Sequence, residues 1–184
     1  MLIAELETPN LIIRDVRESD ADAFYAYMQR EAYWRDLPID PPTPEWVANM
    51  VNRRLQDQTK EPRTSYFLAA TDKATGTVVG DAGLYIRSAS SRQGEVGWVV
   101  RPYCRGRGLG TEIRRAMLDL AFGSLNLHRV YAQCRVENRA SRRIMEKLRM
   151  REEGILRENV FARGLWWSSV QCSILAAEYA ARDA

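Results

Sequence analysis

Val99-Val100-Arg101-Pro102-Tyr103-Cys104-Arg105-Gly106-Arg107-Gly108-Leu109-Gly110-Thr111 joins a β-type run to the start of a helix, with glycines at 106, 108 and 110. Glycine reaches positive φ at little cost and lets a ligand approach the backbone closely. The first N–H groups of a helix lack internal partners and lie at the positive end of the macrodipole, so such a junction is an anion site suited to a diphosphate. Two familiar nucleotide patterns fail here. A P-loop needs a lysine after its last glycine, and none is present. A Gly-x-Gly-x-x-Gly fingerprint started at Gly106 and Gly108 would need glycine at 111, which is Thr111. What remains is Arg-x-x-Gly-x-Gly at Arg105, Gly108 and Gly110.

Working outward, Leu109, Ile113, Ala116, Met117 and Leu120 recur at helical spacing and predict a helix over about 108–122. Glu95 to Val100 and Val130 to Cys134 read as strands on either side of it, which should be parallel through a right-handed crossover. Asn138 can cap a helix whose buried face carries Ile144 and Leu148. Upstream, Leu11 to Arg14 is a short strand, and Ser19 or Asp20 caps a helix through Phe24, Tyr27 and Met28. Tyr33 to Pro44 holds four prolines and reads as a loop, and Pro44 then opens a helix with Trp46, Met50 and Leu55 inward. Tyr66–Thr71 and Val78–Ile86 are strands joined by a turn at Asp72–Gly76, and Ile155–Phe161 and Trp166–Leu175 turn around Arg163-Gly164. The order β-α-α-β-β-β-α-β-α-β-β, without a repeat or linker, predicts one α+β domain over residues 1–184 around a mixed sheet.

Length and composition agree. The chain has 184 residues, 46% hydrophobic and 28% charged, enough to bury a core without staples. Cys104, Cys134 and Cys172 lack the spacing of a disulfide framework or zinc site. The start, Met-Leu-Ile-Ala-Glu-Leu-Glu, is unlike a secretion signal, and no apolar run reaches the roughly 20 residues of a membrane helix; a cytoplasmic protein that binds no membrane is expected. Net charge is +3, and arginine outweighs the three lysines. The arginines cluster at 101, 105, 107, 114 and 115, and again at 135, 139, 142 and 143, either as a solvated face or as a local anion site. The weak net charge argues against direct nucleic-acid binding.

The Arg-x-x-Gly-x-Gly junction, in this order of elements, resembles the acetyl-CoA diphosphate loop of the GNAT N-acetyltransferases. Asn138-x-x-Ser141 with Glu146-Lys147, then Glu152-Glu153-Gly154 and Gly164-Leu165-Trp166, is similar to the RimJ/RimL-like branch, which acetylates protein N-termini. The resemblance runs from about Leu11 to Glu178. It implies the GNAT fold, with about seven strands and about four helices, and acetyl-CoA as the acyl donor. An amine acceptor follows, foremost a peptide α-amine, with an amino acid, amino sugar or polyamine as the alternative. A homodimer is expected on the same ground. A non-catalytic acyl-CoA sensor is a further alternative.

The implied cofactor-binding residues are Val99, Val100, Arg105, Gly106, Arg107, Gly108, Leu109, Gly110, Thr111, Asn138 and Ser141. The end of the strand at Val99-Val100 would offer backbone N–H groups to the thioester carbonyl. Glu95 is the candidate general base, acting through water, against a reading as an ordinary strand-end charge. Ser141 would donate to the departing sulfur, or simply cap its helix. Tyr33, Trp34, Asp36 and Asp40 could form the acceptor wall, with Glu158 and Arg163 opposite. His128, the one histidine, precedes a strand and reads as structural. Three positions depart from the family. Met145 stands where many members have a tyrosine acid, Arg149-Met150 where Gly-Phe is usual, and Ser168 where many have an aspartate.

Overall fold

Alternation along the strands places two helical layers against one sheet. In a computed structural model describing residue 3 and residues 5–181, β1 (Leu6–Glu7), β2 (Leu11–Asp15), β3 (Ser65–Asp72), β4 (Val78–Ser88), β5 (Gln93–Val100), β6 (Arg129–Arg135), β7 (Arg151–Ala162) and β8 (Leu165–Leu175) form an eight-stranded sheet. Its order is β1-β2-β3-β4-β5-β6-β8-β7, and β5–β6 is the parallel pair in it. Along β3, Tyr66, Leu68 and Ala70 enter one apolar cluster while Phe67 and Ala69 enter the other. The first cluster takes α4 (Leu109–Asp119), α5 (Arg139–Lys147) and Tyr179 of α6 (Ala176–Ala180). The second takes α1 (Ala21–Met28), α2 (Glu31–Trp34) and α3 (Pro44–Gln58).

The expected α+β arrangement around a mixed sheet is present, with eight strands rather than about seven and six α-helices rather than about four among the described residues. The additions are short. β1 is two residues, α2 is four and α6 is five, too few for a periodic pattern to form in the sequence. α2 also corrects the loop expected from Tyr33: a turn of helix runs through Trp34, and irregular chain follows to Thr43. Met1, Leu2 and Ala4, used above to read the N-terminus, lie outside the described residues.

The local chemistry explains the boundaries. Thr43 caps α3 by accepting from the Trp46 N–H at 3.1 Å, with Pro44 at the first helical position. Asn138 caps α5 by accepting from the Ser141 N–H at 3.0 Å. Asp20 instead accepts from the Arg17 N–H at 2.8 Å and takes a forked contact from Arg14, so it closes the turn before α1. Arg163 and Gly164 both adopt positive φ in the β7–β8 turn. α4 ends in a single wide turn over Leu120–Ser124.

β5 and β6 pair at Gln93–Arg129, Gly94–Val130 and Glu95–Tyr131. β5 continues to Val100 and β6 to Arg135 without further pairing to each other, while each stays bonded to its outer neighbour. Two strand edges therefore face one another across a gap, and α4 and α5 begin at its rim.

Candidate active site

The gap opens into a cleft of about 690 Å³. Its floor is Trp98, Val99 and Val100 of β5, one wall is the loop from Cys104 to Thr111, and the other is the start of α5. Gly106 and Gly108 hold φ of +80° and +81°, where a side chain would be strained, and a Cβ on either would meet nothing within 4 Å. Gly108 is the N-cap of α4, and the first N–H groups of that helix lack partners one turn back, although Thr111 donates to the Gly108 carbonyl at 2.9 Å. Gly110 serves a different need: a Cβ there would lie 2.9 Å from Arg114 Nη2 and 3.3 Å from Val100 Cγ2. The glycine-lined open space and the unpaired edge of β5 together fit a long donor with a diphosphate at one end.

Of the residues singled out from sequence, Val99, Val100, Arg105, Gly106, Gly108, Leu109, Gly110, Thr111, Asn138, Ser141, Tyr33 and Asp36 line this cleft together. Arg107 does not; it is exposed and lies 3.6 Å from Asp72. Arg105 donates to the carbonyls of Ala32 at 2.7 Å and Val100 at 3.3 Å, tying α2 to the end of β5. Ser141 lies beside Cys134, whose thiol is pushed up by burial and partly brought back by a hydrogen bond with Ser141. Met145 is fully buried in the core, and its neighbour Ile144 lines the cleft instead.

Glu95 stands at the last position of β5 that pairs with β6, and outside the cleft lining. Its alternation partner Val99 packs with α1 and α3, so Glu95 is on the face opposite α4. Arg87 holds its carboxylate at 2.7 Å, and Tyr131 Oη lies 3.4 Å away. Trp34 is half-buried and Asp40 exposed, and neither lines the cleft. Arg163 donates to the carbonyls of Arg35 and Leu37, both at 2.9 Å, and to that of Ile39. It thereby fastens the proline-rich segment to the β7–β8 hairpin. Glu158 donates its N–H to Ser168 Oγ at 3.0 Å within an irregularity of that hairpin. His128 is exposed, and its backbone bonds to Arg92 and Ala176.

Two buried charged residues at or behind the cleft were not singled out individually from sequence. Asp81 of β4 lies opposite Val99 and accepts from Tyr27 Oη at 2.8 Å; burial pushes its carboxyl up to about 7. Tyr33, which packs edge-on against Tyr27 at 5.5 Å, carries this cluster to the cleft wall. A lone aspartate inside an apolar strand was the available signal. Arg114 is 1% exposed and lines the cleft; burial alone lowers its guanidinium to about 9. It falls on the same helical stripe as Gly110, Met117 and Ala121, which a count of arginines hides.

The family model of the acetyltransferase (GNAT) domain matches residues 10–151. The chain belongs to the GNAT acetyltransferase family. An uncharacterized N-acetyltransferase of Bacillus subtilis, YnaD, is 28% identical over 174 residues, covering 95% of this chain and 98% of that one. Among solved structures, a GNAT-family acetyltransferase from Bacillus anthracis superposes with a TM-score of 0.83 at 26% identity, over 95% of this chain and all of the other. A spermidine N-acetyltransferase from Vibrio cholerae, in complex with CoA and spermine, superposes with a TM-score of 0.82 at 21% identity, over 94% and 99%. This GNAT chain is thus an N-acetyltransferase.

Proposed function

We propose that this GNAT enzyme takes acetyl-CoA as donor and acetylates the α-amine of a peptide or protein N-terminus, in the manner of the RimJ/RimL-like branch. The observation that carries the donor is the glycine-lined space at the foot of the β5–β6 gap. The N–H groups of Gly108 to Gly110 and the α4 dipole would hold the diphosphate, while Thr111 donates its own N–H to the Gly108 carbonyl at 2.9 Å. Asn138 and the free edge of β5 take the pantetheine amides. Acetyl-CoA supplies an acetyl group already activated as a thioester.

The amine nitrogen must bond to the acetyl carbon while the carbon–sulfur bond breaks and one amine proton leaves. The backbone N–H of Val100, on the unpaired edge of β5, receives the charge growing on the carbonyl oxygen, and Val99 beside it is held rigid by the pairing of β5 with β4. Glu95 takes the proton through water, from the face on which the acceptor enters. Ser141, at the start of α5, donates a hydrogen bond to the sulfur, since the buried Met145 offers none. Tyr33 and Asp36 flank the acceptor's path. Asp36 and Glu137 on the cleft wall also favour a second reading, a polyamine or another small cationic amine.

The test is thiol release from acetyl-CoA against short peptides with varied N-termini, amino acids, amino sugars and polyamines. Turnover on peptides, slowed at least tenfold in Glu95→Gln with CoA affinity kept, is expected. Turnover confined to a small amine would replace the peptide reading. CoA binding without turnover on any acceptor would favour a sensor.

A further inference from the structure

Arg114 is a cation without an acceptor in a place that water barely reaches. Its Nε and Nη1 are buried and make no hydrogen bond among the described residues. Its guanidinium carbon lies 4.0 Å over the Trp98 ring, which orients the plane and offsets part of the cost of burial. The ring accepts no in-plane N–H, so the buried Nε and Nη1 donors keep their need of an acceptor.

The guanidinium edge is aimed. Helical side chains lean toward the N-terminus, over the preceding turn. Arg114 accordingly reaches back over Gly110, with Nη2 2.9 Å from where a Cβ of residue 110 would stand. The absence of a side chain at Gly110 makes the room that this group fills. The guanidinium thus lies behind the first turn of α4, beside Val100, in the lining of the cleft. The other lining cations are more exposed; Arg105 is already engaged by two carbonyls.

An isolated buried charge is strongly disfavoured, by several kcal/mol after relaxation. Such a group persists where a ligand supplies the missing partner. We infer that Arg114 is a binding residue for the diphosphate of the acyl donor, contributing a fixed side-chain cation beneath the backbone cradle. This rests on the donor assignment above. Its consequence is that Arg114 opposes folding of the empty protein and favours the loaded one. A merely structural arginine would do the reverse.

Wild type, Arg114→Met and Arg114→Gln should be compared in binding of CoA, 3′-phospho-ADP and pantetheine by calorimetry, and in the melting temperature of the ligand-free protein. Met conserves length and apolar packing; Gln guards against a packing failure in Met. The expected result is a loss of about 10- to 100-fold for CoA and 3′-phospho-ADP alike, as for a hydrogen bond to a charged group. Pantetheine binding should be unchanged, and ligand-free Arg114→Met should melt a few degrees higher. Equal affinities in all three proteins would overturn the inference, as would a loss confined to pantetheine, or variants that melt lower with affinities kept. Failure of wild type to bind CoA would instead remove the donor assignment, and this inference with it.

Discussion

The two faces of the sheet build their halves of the cleft by different means. On the α4 face the half proposed for the donor is made chiefly from backbone: positive-φ glycines at 106 and 108, the start of a helix, and a strand edge released by its neighbour. On the α1–α3 face the half proposed for the acceptor is made from side chains that come from distant parts of the chain. Tyr27, Tyr33 and Asp81 meet from two helices and a strand, and Arg163 closes over the carbonyls of residues 35–39 from a hairpin more than 120 residues away. Backbone geometry leaves a mark in a short stretch of sequence, whereas a cluster assembled across the fold does not.

The largest expected effect falls on the backbone half. In Gly108→Val a β-branched residue is forced to φ near +81° and its Cβ occupies the ligand's space. CoA affinity should fall by about 100-fold or more, with the strand content of the circular dichroism spectrum unchanged. An affinity within threefold of wild type would show that the cradle does not hold the donor.

A smaller effect, on stability rather than binding, belongs to the side-chain half. Burial raises the Asp81 carboxyl from 3.8 to about 7. Between about pH 4 and 7 the folded protein keeps this proton while the unfolded chain has lost it. Stability therefore falls as pH rises through that window, by at most about 1.4 kcal/mol per unit, and levels off above it. Asp81→Asn keeps an acceptor for Tyr27 Oη and should flatten this slope, leaving the variant more stable than wild type at pH 8. Denaturant midpoints at pH 5, 6.5 and 8 measure it; parallel slopes in the two proteins would contradict the burial.

That contrast explains how much could be read beforehand. The β5–α4 junction, Pro44 at the start of α3, the Asn138 cap and the turns at Gly76 and Gly164 were legible, because each depends on residues within a few positions of one another; the parallel pair followed from the handedness of the crossover. The acceptor half was only partly so. Tyr33 and Asp36 do line the cleft, but Trp34 and Asp40 do not, since a turn of helix and the pull of Arg163 set the direction of that segment. Arg107 turned toward Asp72 despite its place between two glycines of the motif. Arg114 looked like one member of a basic cluster, and its isolation is visible only once Trp98 and Gly110 are placed around it.

The central claim is that the α4 face is an acyl-donor site organised around a diphosphate. Calorimetric titration of the wild-type protein with acetyl-CoA, 3′-phospho-ADP and pantetheine tests it most directly. The account predicts one site per chain, saturable by acetyl-CoA and by 3′-phospho-ADP in competition with each other, with pantetheine alone far weaker. Saturable binding of pantetheine with none by 3′-phospho-ADP, or no heat with acetyl-CoA, would contradict it.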